Sequence, residues 1–285
     1  MKSSLLILSL SLSLSVSAKD FSLTHKTGNA QSDSSKILKE KYQLHLSAHR
    51  GNSALAPENT LASFKAVMEM GVDYIEIDVR TTKDGQLAIL HDGTLNRTTN
   101  GTGPMKNYTL DELKQLSAGK GWKEAFKDER IPTLTETAAL VAQWNKAHKH
   151  KTHLYVDCKD VAPEPLVKEL KAYNLLKDAV FYGSDDFLLA LKTVYPKAKL
   201  MPSLDKPEEI ADKVAKLKPY AFDVRWTTLN ETLVAEIHKH GVKVFSDVLG
   251  LLDTPANYKK ATAMKVDLIQ TDYVRKVYKT LLENN

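Results

Sequence analysis

Cysteine is nearly missing from this chain: Cys158 stands alone among 285 residues, so no internal disulfide can form. No stretch reaches the run of about 20 apolar residues that a membrane-spanning helix requires. A concentrated basic segment is lacking too. The net charge of +5 is small and spread along the chain, which argues against a nucleic-acid footprint and allows at most a mild attraction for anionic substrates. With no Gly-rich phosphate turn after the first predicted strand, an open doubly wound nucleotide-binding sheet is disfavoured.

What is present describes an ordinary globular chain, 42% apolar and 26% charged, long enough to bury one full core. Residues 1–18 run from Lys2 through a Leu/Ser-rich apolar stretch to Val16-Ser17-Ala18, the order of a secretory signal. Cleavage is expected after Ala18, giving an exported protein, periplasmic or secreted, without stable membrane insertion. No cysteine follows that point closely enough to carry a lipid. Residues 19–41 are polar and read as a tail, with the folded domain expected over 42–285.

Eight short apolar runs, near 44–48, 73–79, 153–157, 179–183, 199–203, 221–225, 242–246 and 267–271, read as strands. Helical patterns follow at 58–70, 135–148, 163–173, 185–194, 207–217, 230–240, 254–264 and 273–282, several opened by Asp, Asn, Thr or Pro. Strand and helix repeated in this way predict an α/β fold, a (β/α)₈ TIM barrel. The rhythm breaks once, after the second run. A hairpin around Asp84-Gly85 and a short capped helix near 109–118 mark a small insertion there, about 92–131, leaving the carboxyl end of a strand where barrel enzymes keep their chemistry.

Within Tyr74-Ile75-Glu76-Ile77-Asp78-Val79, strand alternation sends Glu76 and Asp78 to one face and the aliphatic residues to the other. Two carboxylates aimed into a barrel repel one another unless a cation or shared proton intervenes, and a hard divalent ion serves. A solvent-facing strand with alternating charge is the plain alternative. Asp157 and Lys159 repeat the pattern on the next barrel strand, so Asp157 can complete an oxygen site for one Mg²⁺ or Ca²⁺; a simple Asp–Lys ion pair is the competing reading. His49 and His91 each close a predicted strand and suit a pair of proton donor and acceptor. Arg50 adds a planar fork matched to phosphate oxygens. Trp122, Trp226 and Phe245 either shape one side of a ligand pocket or pack in the core.

The motifs His49-Arg50-Gly51, Pro57-Glu58-Asn59-Thr60, Glu76-Ile77-Asp78 and His91-Asp92 stand in an order that resembles the glycerophosphodiester phosphodiesterase family. The likeness continues through Arg97-Thr98-Thr99, Ile131-Pro132-Thr133-Leu134 and the ending Thr271-Asp272-Tyr273. It implies a metal-dependent barrel that hydrolyses glycerophosphodiesters, such as glycerophosphocholine or glycerophosphoethanolamine, to glycerol 3-phosphate and an alcohol. By position it implies Glu76, Asp78 and Asp157 as metal ligands and His49 and His91 as the acid–base pair. Arg50 and Lys159 match phosphate-binding positions, while Glu58 and Asn59 line the same pocket. The chain departs from the family at Asp157, where Glu is frequent, and at Phe245-Ser246-Asp247, where a Trp- or Asn-containing strand end is expected. Phospholipase D-like hydrolysis of lysophospholipids is the alternative reaction; a barrel that binds phosphoesters without turnover is the alternative class. Paired carboxylates also serve glycosidases, but there they flank a sugar bond rather than share a strand face.

Overall fold

A computed structural model describes residues 32–51 and 54–283. Its strands are β1 (His45–Ala48), β2 (Tyr74–Thr81), β3 (Leu87–Ile89), β4 (His153–Cys158), β5 (Val180–Tyr182), β6 (Lys199–Met201), β7 (Ser203–Leu204), β8 (Ala221–Val224), β9 (Lys243–Asp247) and β10 (Leu268–Thr271). All pair in parallel except β3, which turns back antiparallel on β2, as expected for a hairpin around Asp84-Gly85. The order β6-β5-β4-β2-β1-β10-β9-β8-β7 runs around a barrel. Its two ends, β6 and β7, are halves of one predicted strand parted at Pro202, which has no N–H for the ladder. Counted as one, they leave the eight strands of a (β/α)₈ barrel.

The helices are α1 (Ser32–Tyr42), α2 (Leu61–Glu69), α3 (Leu110–Lys114), α4 (Leu134–Ala147), α5 (Pro163–Ala172), α6 (Asp185–Val194), α7 (Ile210–Leu217), α8 (Glu231–Lys239), α9 (Pro255–Met264) and α10 (Val274–Tyr278). Most start on the capping residues visible in the sequence. Thr60, Thr109 and Thr133 each close a capping box with the residue three positions on. The pattern at 58–70 overran at its start: Glu58 and Asn59 lie in the loop before the Thr60 cap.

Alternation sorts the layers. Ile75, Ile77 and Val79 of β2, with Leu154, Val156 and Cys158 of β4, face outward into the core shared with the helices. Tyr74 and Tyr155 point inward and join Val180, Met201, Ala221, Phe245 and Leu268 in a second layer that fills the barrel floor. Above that floor, the same inward faces carry Glu76, Asp78 and Asp157. The insertion has a small core of its own, in which Leu90, Leu95, Met105, Leu113 and Ile131 are buried.

The expected tail is corrected at its end, because 32–42 form the helix α1. Its Leu38 is fully buried, and Ser35 and Lys39 reach the buried Asp73 at 2.5 and 2.6 Å. Helical periodicity was faint there because docking relies on polar contacts to Asp73, 38 positions away from Ser35. The expected signal segment 1–18 lies outside the described residues. Among the described residues, no helix is long and apolar enough to cross a membrane.

Candidate active site

The turn after β1 is built for close approach. Arg50 and Gly51 both take positive φ, 49° and 76°. A Cβ on Gly51 would stand 2.5 Å from Ser63 Oγ and 2.6 Å from Phe64 Cδ1, so only glycine fits between this turn and α2. The left-handed turn aims the Arg50 N–H at Glu76, donating to Oε2 at 2.7 Å, and sends the side chain over Asp78, whose Oδ2 lies 3.5 Å from Nε. Arg50 Nη1 donates to Glu58 Oε1 at 3.0 Å. Asn59, also at positive φ, donates from Nδ2 to Asp78 Oδ2 at 2.7 Å.

In the β2–β4 register Asp78 stands opposite Asp157. Glu76, Asp78 and Asp157 each offer an oxygen, and the three oxygens lie within 4.8 Å of one another. A cation with oxygen bonds of about 2.0–2.6 Å spans such a set. Two atoms beside it lack hydrogen-bond partners among the described residues although buried: Arg50 Nε and Asn59 Oδ1. A buried donor and a buried acceptor, both left open next to three carboxylates, fit a site that takes a cation and an anion together. Lys159 already supplies part of the positive charge, with Nζ 2.5 Å from Asp157 Oδ2 and 3.1 Å from Asp78 Oδ1. The structure thus shows the Asp–Lys ion pair directly.

Electrostatics mark the same place. Burial, then the charges of Asp78 and Asp157, push the Glu76 carboxyl well above its usual range. Asp157 also rises despite its bond to Lys159, because burial and Asp78 outweigh that ammonium. Burial opposes the Lys159 ammonium, yet Asp78 and Asp157 prevail and hold its pKa above normal.

Each histidine is backed by a carboxylate. His49 Nδ1 lies 2.9 Å from Asp272 Oδ1, and His91 Nδ1 lies 2.8 Å from Asp92 Oδ1. The Asp272 N–H donates to Asp253 Oδ2 at 2.8 Å, which fixes the segment carrying the first carboxylate. Asp272 and Asp92 were not singled out from sequence, although both fall inside quoted motifs. Asp223 and Asp247 are further inward acids of the mouth. Burial raises both, and Asp247 and Asp157 raise Asp223 further. The alternation Phe222-Asp223-Val224, with its apolar members in the outer core, was the available signal for Asp223. Among the aromatics, Phe245 belongs to the barrel floor and Trp226 to the outer core, while Trp122 lines a cavity with Glu58 and Arg97.

Fold and centre together define a class: a (β/α)₈ barrel whose carboxyl-end mouth joins a carboxylate cluster with the spacing to hold a cation to basic side chains and two carboxylate-backed imidazoles. Residues 49–276 match the profile of the Glycerophosphoryl diester phosphodiesterase family. A glycerophosphodiester phosphodiesterase of Caldanaerobacter subterraneus subsp. tengcongensis is 34% identical over 230 residues, covering 79% of this chain and 92% of that protein. The crystal structure of a glycerophosphodiester phosphodiesterase from Agrobacterium tumefaciens superposes with a TM-score of 0.73 at 25% identity, over 84% of this chain and all of that one. An Oleispira antarctica phosphodiesterase, solved with the product sn-glycerol-3-phosphate, gives a TM-score of 0.71 at 27% identity, over 83% of this chain and 96% of that one. This chain belongs to the glycerophosphoryl diester phosphodiesterase family.

Proposed function

We propose that the chain hydrolyses small glycerophosphodiesters to glycerol 3-phosphate and an alcohol, with one divalent cation, Mg²⁺ or Ca²⁺, held by Glu76, Asp78 and Asp157. The observation that carries this reading is the convergence of three carboxylate oxygens with Arg50, Lys159 and two oriented histidines at one barrel mouth. The Oleispira relative, bound to sn-glycerol-3-phosphate, supports the substrate class.

When bound, the cation would supply Lewis-acid neutralisation of charge on the phosphoryl oxygens. The protein groups do the rest. Arg50 presents its open Nε to a phosphate oxygen, held in place by Glu58 and by the Glu76 contact. Lys159, just past the end of β4, adds a second positive charge. In each histidine the carboxylate on Nδ1 fixes the tautomer and leaves Nε2 to move a proton, one ring taking it from the nucleophile and the other giving it to the leaving alcohol oxygen. The lysophospholipid alternative needs an apolar rim. Beyond the strand ends, in the loops after β9 and β10, the large exposed apolar side chains among the described residues are Leu251 and Tyr273.

The test is release of glycerol 3-phosphate from glycerophosphocholine after chelation, with Mg²⁺ or Ca²⁺ added back singly and lysophosphatidylcholine run in parallel. Metal-restored release from the first substrate, lost in both His49→Ala and His91→Ala, is the expected result. Turnover that survives chelation, or survives either substitution, would sink the reading; choline release from the lysolipid alone would move it to the phospholipase D-like class.

A further inference from the structure

Arg97 stands in the insertion on a turn fixed at both ends. Leu95 and Thr99 are fully buried, and Thr99 Oγ1 donates to Leu95 O at 2.6 Å, so the residue between them projects in one direction. Its guanidinium uses both edges. Nε and Nη2 donate to the two oxygens of Asp92 at 2.9 and 2.8 Å, while Nη1 and Nη2 donate to the two oxygens of Glu58 at 2.7 and 2.8 Å. Asp92 in turn holds His91 Nδ1, and Glu58 holds Arg50 Nη1. One side chain is therefore a single carboxylate away from a histidine and from a phosphate-directed arginine, which come from different loops.

We propose that Arg97 is a positioning residue that clamps His91 through Asp92 and Arg50 through Glu58, setting the distance between the proton-transfer group and the phosphate-binding group. The inference rests on the acid–base role given to His91 above. Two bidentate pairs on one planar group fix angle as well as distance, which a lysine ammonium cannot do. The same bonds keep Asp92 charged: chiefly through Arg97, its carboxyl lies well below the usual carboxylate range and stays an acceptor toward Nδ1. Burial would lift Glu58, but Arg97 and Arg50 overcome it and hold that carboxyl low as well. Both links of the clamp thus remain anionic at neutral pH. Were Arg97 only a peg joining the insertion to the barrel, its loss would be felt in stability rather than in turnover.

The side chain of Arg97 is 46% exposed and borders a cavity of about 180 Å³ that also touches Glu58, Lys120 and Trp122. Free guanidinium can therefore reach the space that truncation would leave. The experiment compares Arg97→Ala, Arg97→Lys and His91→Ala on glycerophosphocholine, with and without millimolar guanidinium chloride, beside thermal melts of each. Arg97→Ala should lose roughly 100-fold in kcat, the scale of a small misplacement of reacting groups, with a smaller rise in KM. Arg97→Lys should fall between, and guanidinium should restore at least about 10-fold to Arg97→Ala while leaving His91→Ala inactive. Unchanged kcat in Arg97→Ala beside an inactive His91→Ala would overturn the clamp alone, as would a loss matched by a collapsed melt and unresponsive to guanidinium. A fully active His91→Ala would overturn the acid–base reading beneath it.

Discussion

A carboxylate inside the barrel mouth is held against its own solvation, and Asp247 shows the consequence in a single residue. Burial, reinforced by Asp157 and Asp272 and opposed by His49 and Arg50, pushes its carboxyl up to about 6. In an unfolded chain the same group titrates near ~3.9, so the folded state binds the proton more tightly. The resulting stability is complete below about pH 4 and is lost as pH rises through about 6; two units of difference correspond to roughly 3 kcal/mol. Asp247→Asn keeps a carbonyl oxygen for Gln270, whose Nε2 lies 3.1 Å from Oδ1, and removes the charge. Thermal melts should therefore show the variant more stable than the parent at pH 8 and equal to it near pH 4. A variant less stable at pH 8 would mean that the charge is compensated by a partner that the neutral amide loses.

At the scale of elements, α1 sits at the amino end of the barrel, away from the chemistry. Asp73, at the foot of β2, gathers Ser35, Lys39 and the Leu46 N–H, and Leu38 fills the space beside them. Leu38→Ala should cost about 2–5 kcal/mol, as a buried leucine truncation does, while leaving KM unchanged. A shift in KM would show that α1 communicates with the mouth. This helix was also the element least legible in the sequence, since its anchors are polar and distant. The barrel strands and their helices were legible because period-2 and period-3.6 apolar patterns alternate clearly, and each is bounded by a cap or turn residue. Glu76, Asp78 and Asp157 could be read as one group because alternation sets their direction and barrel order makes their strands neighbours; the register confirms that Asp78 faces Asp157. What alternation could not reveal were contacts made between loops. Asp272 behind His49, and Arg97 between Asp92 and Glu58, depend on how separate loops fold over the same mouth.

Over the whole molecule, the buried acids tie stability to the cation that the site is proposed to hold. Glu76 and Asp78 are almost fully buried, and Arg50 supplies too little compensation to keep Glu76 near its usual pKa. A divalent ion that binds the folded state alone stabilises it by about 2.7 kcal/mol when present at 100 times its Kd. For a domain of this size that corresponds to roughly 5–10 °C in Tm, taking about 2–4 °C per kcal/mol. Mg²⁺ or Ca²⁺ should raise the melting temperature of the parent by this order, with the ion of larger effect also the better activator. Asp78→Asn removes one ligand charge, and although it relieves repulsion on Glu76 it also takes a carboxylate partner from Lys159 and Asn59, so whatever its metal-free melting temperature the variant should gain little from either ion. A gain as large as the parent's would exclude Asp78 from the coordination set while leaving the barrel and its histidines untouched, since the measurement reads binding without any turnover.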